Sequence, residues 1–247
     1  MQPIKALLFD VFGTVVDWRS GIVAELEALG EKHGIDPGTD WVQFAQEWRN
    51  GYMQNIRRLA AGASGSQNAD TILKEILDEL LKSQKWSHIG PLWDEPTRQH
   101  LNLGWHRLNG WPDTVEGLHA LKKHAIIATL ANGSVRLFID LAKHAGLPWD
   151  MIFSPELFDC LKPDPKAYLD AIHHLSLQPE SCAMVAAHIY DVRAAGSLGF
   201  RTIYVRRPNE DAEAVTEVKS KAEGGEVDYV VDSFAEIAEI LAAGNVK

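Results

Sequence analysis

The chain has 247 residues, 46% hydrophobic and 23% charged, the composition of a globular protein with ample material for a core. A net charge of -10 argues against nucleic acid or an anionic membrane surface as a partner, and no apolar run approaches the roughly 18 residues that a membrane span needs. Cys160 and Cys182 make no disulfide framework, and the run before Asp10 is too short for a signal-peptide core, so a reducing cytoplasm is the expected setting.

The first predicted element runs from Ile4 to Asp10. Ala6-Leu7-Leu8-Phe9 is a short apolar run ahead of a turn glycine, which reads as a buried strand of a parallel sheet. Asp10 then falls at the carboxyl end of that strand, where open α/β sheets place their ligands. Gly13 lets the backbone leave tightly, and the Thr14 hydroxyl is placed to orient the carboxylate. Taken alone, the stretch also fits an aspartate capping a turn.

Ile22, Leu26, Leu29 and His33 fall at helical spacing and end near Gly34. Asp36-Pro37-Gly38 is a turn, and Thr39 is the expected N-cap of a second helix with Trp41, Phe44, Ala45, Trp48, Tyr52 and Ile56 on its apolar face. Ala61 to Ser66 is a break, followed by a helix over Ile72–Leu81. From Trp18 to about Trp93 the patterns are helical throughout.

Beyond this insert, strand and helix alternate. A helix opens at Pro112-Asp113, with Thr114 a candidate cap, and runs through Leu121. Strands are expected at Ala125–Leu130, Met151–Ser154, Cys182–Ala187, Arg201–Val205 and Tyr229–Val231. Helices are expected at Val135–His144, after Pro165, at Asp191–Leu198 and at Phe234–Leu241. Such alternation predicts a doubly wound parallel sheet. The ten histidines show no metal-ligand pattern.

The stretch Asp10-Val11-Phe12-Gly13-Thr14 resembles the first motif of the haloacid dehalogenase superfamily, in which the aspartate is a nucleophile. Phosphatases of that superfamily carry a second aspartate two residues on, as general acid. Here that position is Phe12, as in the L-2-haloacid dehalogenase branch, where halide leaves as an anion and needs no proton. Three further stretches match in order. Asn132-Gly133 stands where the family usually has Ser-Asn-Gly, with Ala131 in place of the serine. Lys162-Pro163-Asp164-Pro165 is followed by Tyr168. Ala186-Ala187-His188-Ile189-Tyr190-Asp191 ends a strand, with Ala187 where phosphatases carry a magnesium-binding acid. Trp48-Arg49-Asn50 matches the Trp-Arg pair that brings the halide-receiving arginine.

The resemblance implies a Rossmann-like haloacid dehalogenase fold with an inserted all-helical cap domain, residues 17–96, over a core of residues 1–16 and 97–247. It implies a small anionic 2-haloacid as substrate, with water, no cofactor and no metal. It leaves a homodimer open. In the implied roles Asp10 attacks, Arg49 receives halide, Lys162 keeps Asp10 ionised, and Asp191 prepares the hydrolytic water with His188 nearby. Phe12, Thr14, Asn50, Ala131, Asn132, Tyr168 and His188 are the implied substrate-binding residues. A magnesium phosphatase is the alternative, against which Phe12 and Ala187 argue. A silent binding member is a third reading, supported only by Ala131.

Overall fold

The computed structural model describes residues 3–211 and 217–244. Six parallel strands form one sheet in the order β3-β2-β1-β4-β5-β6. They are β1 (Ala6–Phe9), β2 (Ile126–Leu130), β3 (Met151–Phe153), β4 (Cys182–Ala186), β5 (Arg201–Val205) and β6 (Tyr229–Val231). The chain builds outward from β1 in one direction through β2 and β3, then returns to place β4 on its other side. The order therefore reverses between β1 and β4, which is where doubly wound sheets open a crevice at their carboxyl ends.

Strand periodicity assigns the two faces. Leu7 and Phe9 of β1 join Ile127, Val185 and Ile203 in one core, whereas Ala6 and Leu8 join Ala128, Met184 and Tyr204 in the other. The first face is covered by α5 (Thr114–Leu121), α6 (Val135–Ala145) and α9 (Phe234–Gly244), the second by α7 (Pro165–His174) and α8 (Ile189–Ser197). A sheet covered on both faces accounts for strands that read as unbroken apolar runs.

Four helices lie between β1 and α5: α1 (Trp18–Lys32), α2 (Trp41–Ala60), α3 (Ala69–Lys82) and α4 (Glu95–Asn102). No strand falls among residues 17–106. The α2 residues expected to face inward are all buried, as helical spacing requires. Its N-cap is Asp40 rather than Thr39. The Asp40 carboxylate accepts from the Gln43 N–H at 2.9 Å, while the Thr39 hydroxyl donates to the Asp36 carbonyl at 2.7 Å. The carboxylate lies one residue nearer the first turn and takes the orphan amide. Thr114 likewise caps nothing with its side chain. Its hydroxyl donates to the Val15 carbonyl at 2.8 Å and ties the start of α5 to the loop after β1.

Helix α4 has no counterpart among the predicted elements, because most of its residues are polar and carry no apolar period. Only its start is marked, by Asp94 accepting from the Thr97 N–H at 3.0 Å and by Pro96 in the first turn. Arg98 pairs with Asp78 at 3.0 Å, and the Asn102 amide donates to the Asp70 carbonyl at 2.9 Å, so α4 is fastened to α3. A domain boundary at residue 96 would cut this helix. We propose that the helical unit continues to its end.

The insert and the sheet share a core. Trp18 stacks on Trp105 with centroids 6.0 Å apart, Trp48 meets Trp105 edge-on at 5.4 Å, and Trp105 meets Phe12 edge-on at 6.0 Å. Each such pair adds about 0.5–1.5 kcal/mol beyond its buried area. This aromatic chain brings α2 down onto the carboxyl edge of the sheet.

Candidate active site

Asp10 follows β1 directly, and its N–H donates to the Val185 carbonyl at 3.0 Å, so the crevice between β1 and β4 fixes its position. The chain then turns at Gly13, whose φ of 84° is left-handed. A Cβ there would come within 2.6 Å of the Glu210 carboxyl carbon, so both backbone and space call for glycine. Thr14 is fully buried. Its hydroxyl donates to Asp10 Oδ2 at 3.0 Å and accepts from the Ala187 N–H at 2.9 Å, linking the ends of β1 and β4.

Three cationic side chains surround Asp10. Lys162 Nζ lies 3.3 Å from Asp10 Oδ1 and also pairs with Asp191. His188 Nδ1 lies 2.9 Å from Asp10 Oδ2. Arg49, buried on α2, places its Cζ 5.2 Å from the Phe12 ring, 5.7 Å from Trp18 and 5.6 Å from Tyr52. Burial alone would raise the Asp10 pKa, but Lys162, His188 and Arg49 outweigh it and hold the carboxyl well below the usual range. Asp191 is shifted the other way. Its burial, and then repulsion from Asp10 against the pull of Lys162, leave its pKa raised. Two carboxyl groups driven apart in this manner are suited to different tasks, one permanently ionised and one able to take a proton.

Arg49 has neighbours but no partner. Among the described residues no hydrogen bond or ion pair holds its guanidinium. A buried guanidinium faced by three aromatic rings, with no acceptor bonded to it, has donors free to meet a small anion.

The remaining expected site residues divide. Phe12 is buried beneath Arg49. Ala131 is buried at the end of β2 and offers no hydroxyl. Asn132 uses its side chain on the lysine loop: Oδ1 accepts from the Lys162 N–H at 2.8 Å and Nδ2 donates to the Lys162 carbonyl at 3.0 Å. Its own carbonyl accepts from the Tyr52 hydroxyl at 3.0 Å. Asn132 is thus a brace for Lys162. Tyr168 is buried and donates to Asp191 Oδ1 at 2.5 Å, so it holds Asp191. Asn50 is not brought to the cluster. It is exposed and accepts from the Gln46 amide at 2.8 Å, because one residue along a helix turns the side chain about 100° away from the face that carries Arg49.

Glu210 is not among the residues expected from sequence. It lies in the loop after β5, is buried, and accepts from His188 Nε2 at 2.9 Å and from the Trp18 indole at 2.7 Å. No motif marks it. Its neighbours Asn209 and Asp211 both adopt left-handed φ values, 64° and 45°. His188 therefore bridges two carboxylates. It stands at the N-cap position of α8 but makes no side-chain cap bond. Burial lowers its pKa, but the bonds to Asp10 and Glu210 prevail and push it up to about 10 from 6.5. A raised histidine pKa contributes stability that is complete below pH 6.5 and is lost as pH climbs through about 10. Denaturant midpoints recorded across that interval should fall, and His188→Asn should flatten the decline.

A family model described as haloacid dehalogenase-like hydrolase matches residues 4–199. The chain belongs to this family. Individual haloacid dehalogenases match this family member over most of its length. The (S)-2-haloacid dehalogenase 1 of Pseudomonas sp. (strain CBS-3) is 28% identical over 219 residues, covering 86% of this chain and 89% of that protein. The crystal structure of the L-2-haloacid dehalogenase PA0810 is 34% identical with a TM-score of 0.83, covering 96% of this chain and 99% of that one. The defluorinating L-2-haloacid dehalogenase Rha0230 is 35% identical with a TM-score of 0.84, covering 97% and 95%. No helix among the described residues is long and apolar enough to cross a membrane.

Proposed function

We propose that the protein hydrolyses short 2-haloalkanoic acids to 2-hydroxy acids through an ester on Asp10, without a metal ion. The observation that carries this reading is the pairing of an ionised Asp10 with an unpartnered Arg49 above Phe12. The first is a nucleophile, the second a receptor for a departing anion, and the residue between them cannot donate a proton to a leaving group. The helical insert acts as a cap that supplies Arg49, Trp18 and Tyr52.

Asp10 Oδ1 is the attacking oxygen. It accepts one bond, from Lys162 at 3.3 Å, whereas Oδ2 is held by both Thr14 and His188. Oδ1 displaces halide from the carbon next to the substrate carboxylate, with inversion, and the halide leaves with its bonding electrons towards Arg49. Lys162 offsets the substrate's negative charge. A water then attacks the ester, and Asp191 takes its proton. Asp191 rather than His188 is assigned as that base, because both ring nitrogens of His188 are already engaged, by Asp10 and by Glu210.

The phosphatase alternative requires magnesium to offset the charge of a phosphoryl group. That ion wants an oxygen-rich octahedral shell. Here Phe12 and Ala187 supply no carboxylate, and both Asp191 oxygens are engaged by Lys162 and Tyr168. The test is chloride release from 2-chloropropionate in excess EDTA, run beside hydrolysis of p-nitrophenyl phosphate with magnesium. Full dehalogenation with negligible phosphatase activity is expected. Magnesium-dependent phosphatase activity with no halide released from any 2-haloacid would overturn the reading.

Arg49→Ala is expected to lower kcat about a hundredfold, the order found when one preorganised charge-stabilising donor is removed. Arg57→Ala, on the same helix but exposed, should leave the rate near wild type. If Arg57→Ala were the damaging change, the halide receptor has been misassigned.

A further inference from the structure

The proposed chemistry assigns Oδ1 of Asp10 to the attack, which makes Oδ2 the carbonyl oxygen of the ester. Building on that reading, we propose that His188 Nδ1–H and the Thr14 hydroxyl form an oxyanion hole for ester hydrolysis, and that Glu210 is the positioning residue that keeps His188 charged and aimed. The two donors already lie 2.9 Å and 3.0 Å from Oδ2. Donors at about 2.7–3.1 Å from the oxygen that will carry charge are the geometric requirement for such a hole. They come from separate elements, β1's following loop and the end of β4, and each is fixed from behind. Thr14 is held by the Ala187 N–H at 2.9 Å, and His188 is held by Glu210 at 2.9 Å.

Bond by bond, water oxygen joins Asp10 Cγ, one water proton moves to Asp191, and the carbonyl π pair moves onto Oδ2. That charge falls between an imidazolium N–H and a hydroxyl. When the pair returns, the Cγ–Oδ1 bond breaks, and the departing alkoxide takes the proton from Asp191. The product hydroxyl keeps Oδ1, Asp10 keeps the water oxygen, and the second water proton leaves to solvent as Asp10 ionises.

Glu210 matters most in the ester state. With Asp10 esterified, one of the two carboxylates that hold His188 protonated is gone, and Glu210 alone remains against it. The other charged groups nearby do not replace it. Asp211 uses its carboxylate on the Ile189 N–H at 2.5 Å, the Tyr190 ring lies 5.8 Å away, and Lys162 and Asp191 lie on the far side of Asp10 and pair with each other. Both Glu210 oxygens are occupied, by His188 and by the Trp18 indole, which fixes the carboxylate against the imidazole.

Glu210→Gln keeps a side chain of the same shape and removes the charge. The experiment follows halide release and the covalent ester separately, by rapid quench and intact-protein mass with 2-chloropropionate, across pH. The expected result is an unaltered first burst of chloride, accumulation of ester, and a hydrolysis rate at pH 8 about thirtyfold lower. That factor is the protonated fraction left to a histidine of ordinary pKa. The loss should shrink as pH falls from 8, to about twofold at pH 6.5. His188→Asn should also accumulate ester, without the recovery at low pH. Equal slowing of both steps, or a lower rate with no ester accumulating, would overturn the oxyanion role. Nitrogen NMR of labelled histidine gives a reading independent of turnover: the His188 midpoint should drop in Glu210→Gln, and an unchanged midpoint would remove Glu210 from the proposal. If the wild-type protein releases no halide at all, the dehalogenase reading fails, while the NMR comparison still judges the Glu210–His188 link.

Discussion

Asp10→Asn should abolish halide release while the protein stays folded. An amide cannot displace halide from carbon, and no other carboxylate is placed for the attack: Asp191 is held by Lys162 and Tyr168, and Glu210 by His188 and Trp18. The fold should survive because no cation loses its last partner. Lys162 keeps Asp191, and His188 keeps Glu210. Chloride release, intact mass for a missing ester, and circular dichroism together check the expectation. Turnover with a wild-type spectrum would mean that another group is the nucleophile.

Lys162→Met carries the largest expected loss of stability. The lysine is almost fully buried between two carboxyl groups, and its pKa is raised because Asp191 and Asp10 together prevail over the cost of burial. Removing one member of a buried ionic cluster usually costs about 3–5 kcal/mol, since the remaining charges are left uncompensated. Methionine keeps the stem's volume, so the loss would report charge rather than a cavity. Activity should fall with it, because without Lys162 the two carboxyl groups repel and the Asp10 pKa rises. Denaturant unfolding and a pH–rate profile would measure both effects. An unchanged unfolding midpoint would mean that the cluster is solvated and that Lys162 adds little.

These side chains show how far the sequence could be read. The apolar spacing in α2 implied its buried face, and Arg49 was placed on it by its Trp48 neighbour rather than by periodicity. Asp10, Thr14, Lys162 and His188 stand at strand ends or in loops and Asp191 in the first turn of α8, and the sheet brings them together. Asn50 stays outside the cluster because adjacency in a helix is not adjacency on a face. The motifs do not show that the Asn132 and Tyr168 side chains bond Lys162 and Asp191, because those contacts form only when separate loops and helices meet. Glu210 could not be found from composition or motif, since its role depends on a loop about 200 residues from Asp10 folding back against Gly13. Polar helix α4 left no period to detect.

The central place of β1 has a consequence for biosynthesis. The strand that leads to Asp10 is made before the other five of the sheet, yet its neighbours on one side are Cys182 to Val185, and the partners of Asp10 lie 152 and 178 residues later. At roughly 5–20 residues per second, ribosomal synthesis separates them by on the order of ten seconds or more. During that time an apolar strand meant for burial on both faces has no partner on its β4 side. The helical insert, built from local contacts, can fold in the interval, whereas the sheet must wait for sequence-distant pairing, the slow kind of folding event. The catalytic centre is therefore among the last parts of the molecule to exist, and a nascent chain that stalls before β4 presents a sticky edge rather than a partly active enzyme.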